Sequence, residues 1–129
     1  MKSYTDIEQS KRLAELLPVE SADMFYRENG TDVKLVWEHL KDIPVTTPCW
    51  SLSALLQVLP LGIYDELDGC DYELEINMID KMPRYIRLGD ISHSKFPWDF
   101  EKDTLLDNIV ESIIWLNDNN YFELWKQTN

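Results

Sequence analysis

The sequence predicts an α+β fold in which antiparallel β-hairpins, in the order α-β-β-α-β-β-α, carry helices packed on one face. Two pairs of alternating apolar and polar runs indicate the hairpins, because a sheet with one solvated face alternates in this way. Two segments with apolar residues spaced i, i+3, i+4 and i+7, and an amphipathic segment near the start of the sequence, indicate the helices. The 129 residues fit a single globular domain over 1–129. The pattern leaves open whether the hairpins form one sheet or two.

The charge balance restricts the classes of partner. Twelve Lys and Arg against 24 Asp and Glu give a net charge of −12, which argues against binding to nucleic acid or to an anionic membrane. No apolar run approaches the roughly 18 residues of a membrane helix, and the first residues lack the apolar stretch of a secretory signal. We therefore expect a soluble, cytoplasmic protein without a membrane partner, whose cysteines, Cys49 and Cys70, are reduced thiols.

The first element is predicted to be a helix over residues 5–17. Thr5 and Glu8 have the spacing of a capping box, in which each side chain reaches the backbone amide of the other residue. Pro18 then stops the helix, because proline has no amide hydrogen to donate.

A hairpin follows, and its turn fixes the pairing of its strands. Asn29 and Gly30 tolerate the positive φ angles of a type I′ turn, which sets the register of the residues on either side. The alternation of apolar and polar residues supports the same register, because a slip of one residue would expose the apolar side. The facing pairs are Tyr26–Val33, Met24–Leu35 and Ala22–Trp37 on the apolar side, with Phe25–Lys34 and Arg27–Asp32 on the polar side.

Residues 39–47 are predicted to be an extended linker, which leads to a central buried helix within PCWSLSALLQVLP, residues 48–60. Ser51 is one candidate N-cap of this helix, and Thr47 followed by Pro48 in the first helical position is the other. Cys49 beside the helix is expected to be a buried structural thiol. The apolar face of the helix consists of Leu52, Leu55, Leu56 and Leu59.

A loop over residues 61–71 is predicted to precede the second hairpin. One strand runs through Tyr72, Leu74, Ile76 and Met78, and the other covers residues 84–90. With Lys81, Met82 and Pro83 as the loop, Met78 faces Ile86 and Asp80 pairs with Arg84. A longer loop of the same parity is the alternative, because proline cannot adopt the positive φ that a three-residue loop favours.

Residues 91–102 are predicted to be irregular, and a last helix follows, capped by Asp103 or Thr104. Asn117 to Asn120 provide a left-handed stop. Residues 121–125 are apolar enough to fold back on the core. The apolar stripe of this helix consists of Leu106, Ile109, Val110, Ile113 and Leu116.

The residues do not form a recognisable catalytic, cofactor or metal motif. His39 and His93 have no partner base or nucleophile that the sequence places beside them. The acidic stretch 64–75 lacks the ligand spacing of a calcium loop, and we interpret it as a solvated turn. The four glycines are scattered singly, so no phosphate-binding loop is predicted. We therefore predict no catalytic, cofactor-binding or metal residues and no cofactor.

An aromatic cluster outside any periodic element is the candidate partner contact. It fills a gap in the core or forms a contact surface, and the sequence leaves both readings open. As a contact surface, it would have Trp98 as its anchor, because tryptophan is enriched among residues that dominate binding energy. The candidate contact residues are Phe96, Trp98, Asp99, Phe100 and Glu101.

The stretches SYTDIEQSKRLAELLPVESADM and PCWSLSALLQVLP carry a resemblance. With them, the chain resembles a group of small acidic proteins of gut Bacteroides and similar bacteria, often found on phage-like or mobile elements. The resemblance implies a bacterial cytosolic setting, and it implies no activity, cofactor or catalytic residue.

Three functions are compatible with these features. The first is a non-catalytic protein-binding module linked to phage or mobile elements. Such a module would bind an unknown protein or a second copy of itself. The second is a small enzyme whose site is assembled only in the fold. The third is an acidic DNA mimic, for which Asp103, Asp107 and Glu111 recur every fourth residue along the last helix.

Overall fold

The structure, a computed structural model, describes residues 2–26, 33–35, 47–87, 94–95 and 102–121, with only the backbone at 33–35 and 94–95. The chain divides into two compact units, Met1–Val58 and Leu59–Asn129. Within the described ranges, three α-helices and two antiparallel sheets confirm the α+β prediction. The single domain over 1–129 stays a prediction.

The first unit combines two helices with a three-stranded antiparallel sheet of order β2-β1-β3. In this unit, α1 packs against β3. A short 3₁₀ turn, Val19–Ser21, follows Pro18. The elements are α1 (Ile7–Ala14), β1 (Met24–Tyr26), β2 (Val33–Leu35), β3 (Thr47–Cys49) and α2 (Leu52–Val58).

The start of α1 differs from the prediction by one residue. Asp6 is the N-cap, and its Oδ1 accepts from the Gln9 amide at 2.8 Å while the Asp6 amide donates to Gln9 Oε1 at 3.0 Å. The predicted Thr5–Glu8 capping box is therefore wrong. Thr5 is fully buried, and its hydroxyl lies 2.7 Å from that of Ser10 instead.

The register of the first hairpin is confirmed where the structure describes it. Met24 pairs with Leu35, Phe25 with Lys34 and Tyr26 with Val33. The turn and the predicted partners Arg27, Asp32 and Trp37 lie outside the described residues. Phe25 was predicted on the polar side and is buried. Phe25 and its neighbour Tyr26 face opposite sides of the sheet and both are buried, so β1 is covered on both faces.

Residues 47–49 are a strand and not the end of a linker or the start of a helix. Thr47 and Cys49 pair with Tyr26 and Met24 across from β2, so the helix start at Thr47 and Pro48 is wrong. Ser51 is the N-cap of α2, since the Ala54 amide donates to Ser51 Oγ at 3.1 Å. This short helix is buried as predicted, but its buried residues are Ala54, Leu55 and Val58, followed by Leu59. Leu52 and Leu56 of the predicted face are only half-buried.

The second unit is a four-stranded antiparallel sheet of order β4-β5-β6-β7, and α3 packs against β6. The strands β4 and β7 lie in segments that were predicted to be a loop and an irregular stretch. Cys70 was placed in a polar loop, but it is the first residue of β5. The elements are β4 (Gly62–Asp65), β5 (Cys70–Asn77), β6 (Met82–Arg87), β7 (Ser94–Lys95) and α3 (Leu105–Asp118).

The β5–β6 register differs from the prediction, in parity as well as in position. Asn77 pairs with Met82, which leaves residues 78–81 as the turn. Lys81 takes the left-handed conformation with φ of 61°, so no glycine is needed and Pro83 can lie within the strand. Met78, predicted to face inward, is 64% exposed. Asp80 and Arg84 were predicted as facing residues of the two strands; Arg84 instead faces Glu75, and its ion pair with Asp80 is a local contact four residues along the chain.

The last helix agrees closely with the prediction. Thr104 is its N-cap, and its hydroxyl accepts from the Asp107 amide at 3.1 Å. All five residues of the predicted apolar stripe are buried. Asn120 has a φ of 65°, which confirms the left-handed stop. Of the predicted fold-back, Tyr121 stacks on Trp115 with ring centroids 5.5 Å apart, and residues 122–125 lie outside the described part.

Among the helices that the structure describes, none combines the length and the apolar character needed to cross a membrane.

Candidate binding cleft

The predicted partner-contact residues, Phe96, Trp98, Asp99, Phe100 and Glu101, lie outside the residues that the structure describes. The same is true of His39 and His93. The aromatic cluster therefore stays a prediction, and the candidate site is sought among the described side chains.

Cys49 has the environment of a structural thiol, as the sequence predicted. Its side chain is fully buried, and burial raises its pKa. A reactive cysteine needs the opposite conditions, a lowered pKa and access to solvent. Cys70 is half-buried, and both cysteines are free thiols.

The row of carboxylates proposed for DNA mimicry does not lie on one helix. Asp103 precedes the N-cap of α3, so it is not part of the helix. Asp107 and Glu111 are separated by one turn within α3, and both are half-buried. The predicted repeat along the helix is thus reduced to a single pair, while the net charge of −12, the other support for mimicry, is unchanged. Mimicry stays a prediction.

The second unit contains a cleft of about 410 Å³. One wall is the end of β4 and the β4–β5 turn, and the other wall is the chain that follows α3. The volume lies within the roughly 300–1,000 Å³ of small-ligand pockets. The lining residues are Tyr64, Asp65, Glu66 and Leu67 on the first wall and Asn119, Asn120 and Tyr121 on the second.

The first wall is a tight turn closed by backbone and side-chain hydrogen bonds. Asp65 pairs with Cys70, which leaves residues 66–69 to reverse the chain. The Gly69 amide donates to the Asp65 carbonyl at 2.8 Å, and the Leu67 amide donates to Asp65 Oδ1 at 3.0 Å. Gly69 has a φ of 70°, a conformation that glycine adopts without steric cost. These contacts hold the wall in one geometry.

Asp68 strengthens the same turn from outside the cleft. Its Oδ1 accepts from the Cys70 amide at 3.0 Å, and its Oδ2 accepts a short hydrogen bond from the Tyr72 hydroxyl. Two carboxylates of the acidic stretch are thus used to cap the turn. Among the described residues, no three or more His, Cys, Asp or Glu side chains are grouped to hold a metal ion.

The second wall is fixed by the termination of α3. The amide and the side-chain amide of Asn119 both donate to the Trp115 carbonyl, at 3.0 and 2.8 Å. Asn120 turns the chain through its positive φ, and the Tyr121 amide donates to the Leu116 carbonyl at 2.9 Å. The stacking of Tyr121 on Trp115 then positions the tyrosine ring beside the cleft.

The cleft is electronegative from both walls. Asp65 and Glu66 supply carboxylates from the turn. The C-terminus of a helix carries a partial negative charge, and the last turn of α3 contains no basic residue to offset it. The rim also exposes apolar surface, because Leu67 is 98% and Tyr64 is 55% exposed. Such a cleft favours a ligand that is cationic and partly apolar.

Sequence reasoning noted the segments of both walls, one as a solvated turn and the other as a helix stop, but assigned neither of them to a site. The acidic stretch 64–75 and the Asn117–Asn120 stop were each recognised from their residue types. Their meeting depends on β4, a strand of four residues that the alternation pattern did not reveal.

Comparison of the chain with protein-family models, with curated proteins and with solved structures finds no match.

Proposed function

We propose that this protein is a non-catalytic protein-binding module whose contact surface is the rim of the cleft between the β4–β5 turn and the end of α3. The observation that carries the proposal is the pair of exposed side chains at that rim, Leu67 and Tyr64, beside the carboxylates of Asp65 and Glu66. Single exposed apolar residues are normal on protein surfaces. Here they border a preformed concave site, which is the arrangement of an anchor surrounded by a polar rim.

The chemistry of the lining favours binding over catalysis. Among the residues that the structure describes, the seven that line the cleft include no histidine, cysteine, serine or lysine. They therefore offer neither a usual nucleophile nor a base tuned near neutral pH. Carboxylates, amides and phenols can accept or donate hydrogen bonds to a partner without chemical change.

The partner is a different protein rather than a second copy. The chain carries a net charge of −12, so two copies repel each other when acidic surfaces approach. A basic protein would be attracted by the same charge and would associate faster at low salt. The resemblance described above adds a bacterial cytoplasmic setting and a link to phage or mobile elements to the proposal.

A site-specific photocrosslink tests the contact surface. A photoreactive amino acid replaces Leu67 in the β4–β5 turn, and the matched control carries it at Ile79, which is 93% exposed in the β5–β6 turn. We expect one discrete adduct from the Leu67 position and none from Ile79 in bacterial cells that express the chain. Once the partner is purified, Leu67→Ser should weaken its binding and Ile79→Ser should not. Equal adducts from both positions, or adducts from neither, would refute the proposed surface.

A further inference from the structure

We propose that the cleft binds an organic cation, a guanidinium or ammonium group, presented by a Lys or Arg side chain of the partner. This inference rests on the proposed function, because it names the chemistry that the partner brings to the same site. Negative charge at both walls, aromatic rings and amide oxygens together form the basis of the assignment.

The negative charge comes from two independent sources. Glu66 is exposed at the turn, and Asp65 beside it is only 5% exposed, with its Oδ1 held by the Leu67 amide. The end of α3 contributes the negative pole of a helix of 14 residues. Helices commonly place their own Lys or Arg near this end, whereas the last turn of α3 contains Asp118 and no base. A cation from outside completes this electrostatic arrangement.

The remaining lining groups suit an organic cation better than a metal ion. Tyr64 and Tyr121 provide aromatic rings, which attract guanidinium and ammonium groups through their negative faces. The amide oxygens of Asn119 and Asn120 are acceptors for a donor with several N–H groups. A hard metal ion would instead require a denser set of oxygen ligands, and the described residues bring two carboxylates to the cleft.

The rigidity of both walls supports recognition of a small group. The turn is closed by hydrogen bonds from Gly69 and Leu67 to Asp65, and the helix end is closed by those of Asn119 and Tyr121. A site that is already organised loses little conformational freedom on binding. The exposed methyl groups of Leu67 can then cover the aliphatic stem of a long basic side chain.

Titration of the whole chain, followed by NMR of its backbone amides, tests the inference. The probes are N-acetyl-arginine amide and N-acetyl-lysine amide, and the neutral control is N-acetyl-citrulline amide, which has the shape of arginine without its charge. We expect the charged probes to shift the amide signals of Glu66, Leu67, Asn119 and Asn120, with binding that weakens as salt is added. The citrulline probe should leave these signals in place. Equal shifts with citrulline, or no shifts with either charged probe, would overturn the inference.

Paired substitutions locate the site. Glu66→Gln removes one charge from the cleft, and it should weaken binding of the arginine probe by about threefold to tenfold. Glu73→Gln removes the same charge from an exposed position on β5 that does not line the cleft, and it should change binding little. Asp65→Asn removes the buried charge but keeps a side-chain oxygen that can still accept from the Leu67 amide. This variant therefore tests the charge of Asp65 while the turn is preserved. Equal effects of Glu66→Gln and Glu73→Gln would show only general electrostatic attraction and would refute the site.

A further arm separates the two sources of the cation. Spermidine and free arginine represent a small-molecule source, and the acetylated amides represent a side chain within a protein. Comparable or tighter binding of the amides supports the partner side chain, whereas spermidine that binds tenfold tighter or more would make the ligand a free polyamine and refute the protein source. A Leu67 crosslink without any cation binding would refute this inference and not the proposed function. Cation binding without a Leu67 crosslink would instead refute the proposed function, and binding of a cation by the cleft would still stand.

Discussion

At the scale of single residues, the first unit is tied together by buried polar groups around Thr5. The Thr5 hydroxyl lies 2.7 Å from that of Ser10 and accepts from the Trp50 amide at 3.1 Å. The Thr5 carbonyl accepts from the Tyr26 hydroxyl at 2.6 Å, with the Cys49 thiol 3.5 Å away. Buried polar groups are costly unless they are hydrogen-bonded, so these five residues form a mutually dependent set.

The stability of the chain should fall in alkaline solution through Tyr26. Burial, assisted by the neighbouring Cys49, raises the pKa of Tyr26 to about 12, whereas an unfolded tyrosine titrates near pH 10. The folded state holds the proton more tightly, so this contribution is complete below about pH 10 and is lost as the pH rises toward 12. Tyr26→Phe should flatten the pH dependence of the free energy of unfolding, measured with urea from pH 8 to 12.

The flattening should be partial, because burial also raises the pKa of Tyr85 in the second unit. Tyr64→Phe, at a 55% exposed position, is the matched control and should leave the slope unchanged. A slope that is the same in Tyr26→Phe and in the parent would contradict the role of this phenol.

The two thiols should differ sharply in reactivity. Cys70 is half-buried at the start of β5, whereas Cys49 is fully buried with a pKa raised by burial. A maleimide reagent should therefore add one label to the native chain and two labels after unfolding, counted by mass spectrometry. Cys49→Ser and Cys70→Ser identify the labelled residue. Rapid double labelling of the native chain, or a mass showing a disulfide, would refute this assignment.

At the scale of secondary-structure elements, local rules predicted the starts of two helices, whereas α1 ends at Ala14 and not at Leu17 before Pro18. Ser51 and Thr104 were each one of two candidate caps from residue type and spacing, and both hydroxyls accept the expected amides. At the first helix, Thr5–Glu8 and Asp6–Gln9 both have capping spacing. The structure uses the second, because Thr5 is required in the buried set described above. The spacing of these residues alone does not show which of the two capping pairs forms.

The β5–β6 turn shows a second limit of local rules. The prediction required glycine for a left-handed turn residue, and Lys81 occupies that conformation instead. Its ammonium group donates to the Asp103 carbonyl at 3.3 Å, and Asn108 donates from its side chain to the Lys81 carbonyl at 2.7 Å. Contacts from distant parts of the chain thus hold a conformation that the sequence around the turn disfavours.

The β4–β5 turn should be sensitive to loss of its glycine. An alanine Cβ at Gly69 would lie 3.8 Å from the Tyr64 hydroxyl, an ordinary contact, so the cost arises from the backbone alone. With φ at 70°, Gly69→Ala should lower the free energy of unfolding by about 1–2 kcal/mol. Urea unfolding measures this change. Gly69→Asn should recover part of it, because asparagine tolerates the left-handed region; an alanine variant as stable as the parent would contradict the assigned conformation.

At the scale of the whole molecule, each compact unit has its own set of fully buried side chains. The first unit contains Leu13, Trp50 and Leu55. The second unit contains Tyr85 and the apolar stripe of α3. The sequence predicted most of these residues, because helical periodicity identifies a buried face directly. It did not predict β3, β4 or β7, which are too short for an alternating pattern to be distinctive.

Matched large-to-small substitutions, one in each unit, test whether the chain unfolds as one domain. Leu55→Ala in the first unit and Ile113→Ala in the second should each cost about 2–5 kcal/mol, because both side chains are fully buried. If residues 1–129 form a single domain, calorimetry should show one cooperative transition that either substitution shifts to lower temperature. Two transitions, each shifted by only one of the variants, would refute the single-domain prediction.

The pairing of residues 3–5 with residues 50–52 also determines when these residues become ordered during synthesis. The Thr5 amide donates to the Trp50 carbonyl at 3.0 Å, and the Leu52 amide donates to the Ser3 carbonyl at 2.9 Å. A ribosome adds about 5–20 residues per second, so several seconds pass before these partners emerge. During that time α1, a helix of eight residues, is too short to hold its own structure in water. Within this pairing, the residues made earlier therefore become ordered only when the far end of their unit has been made.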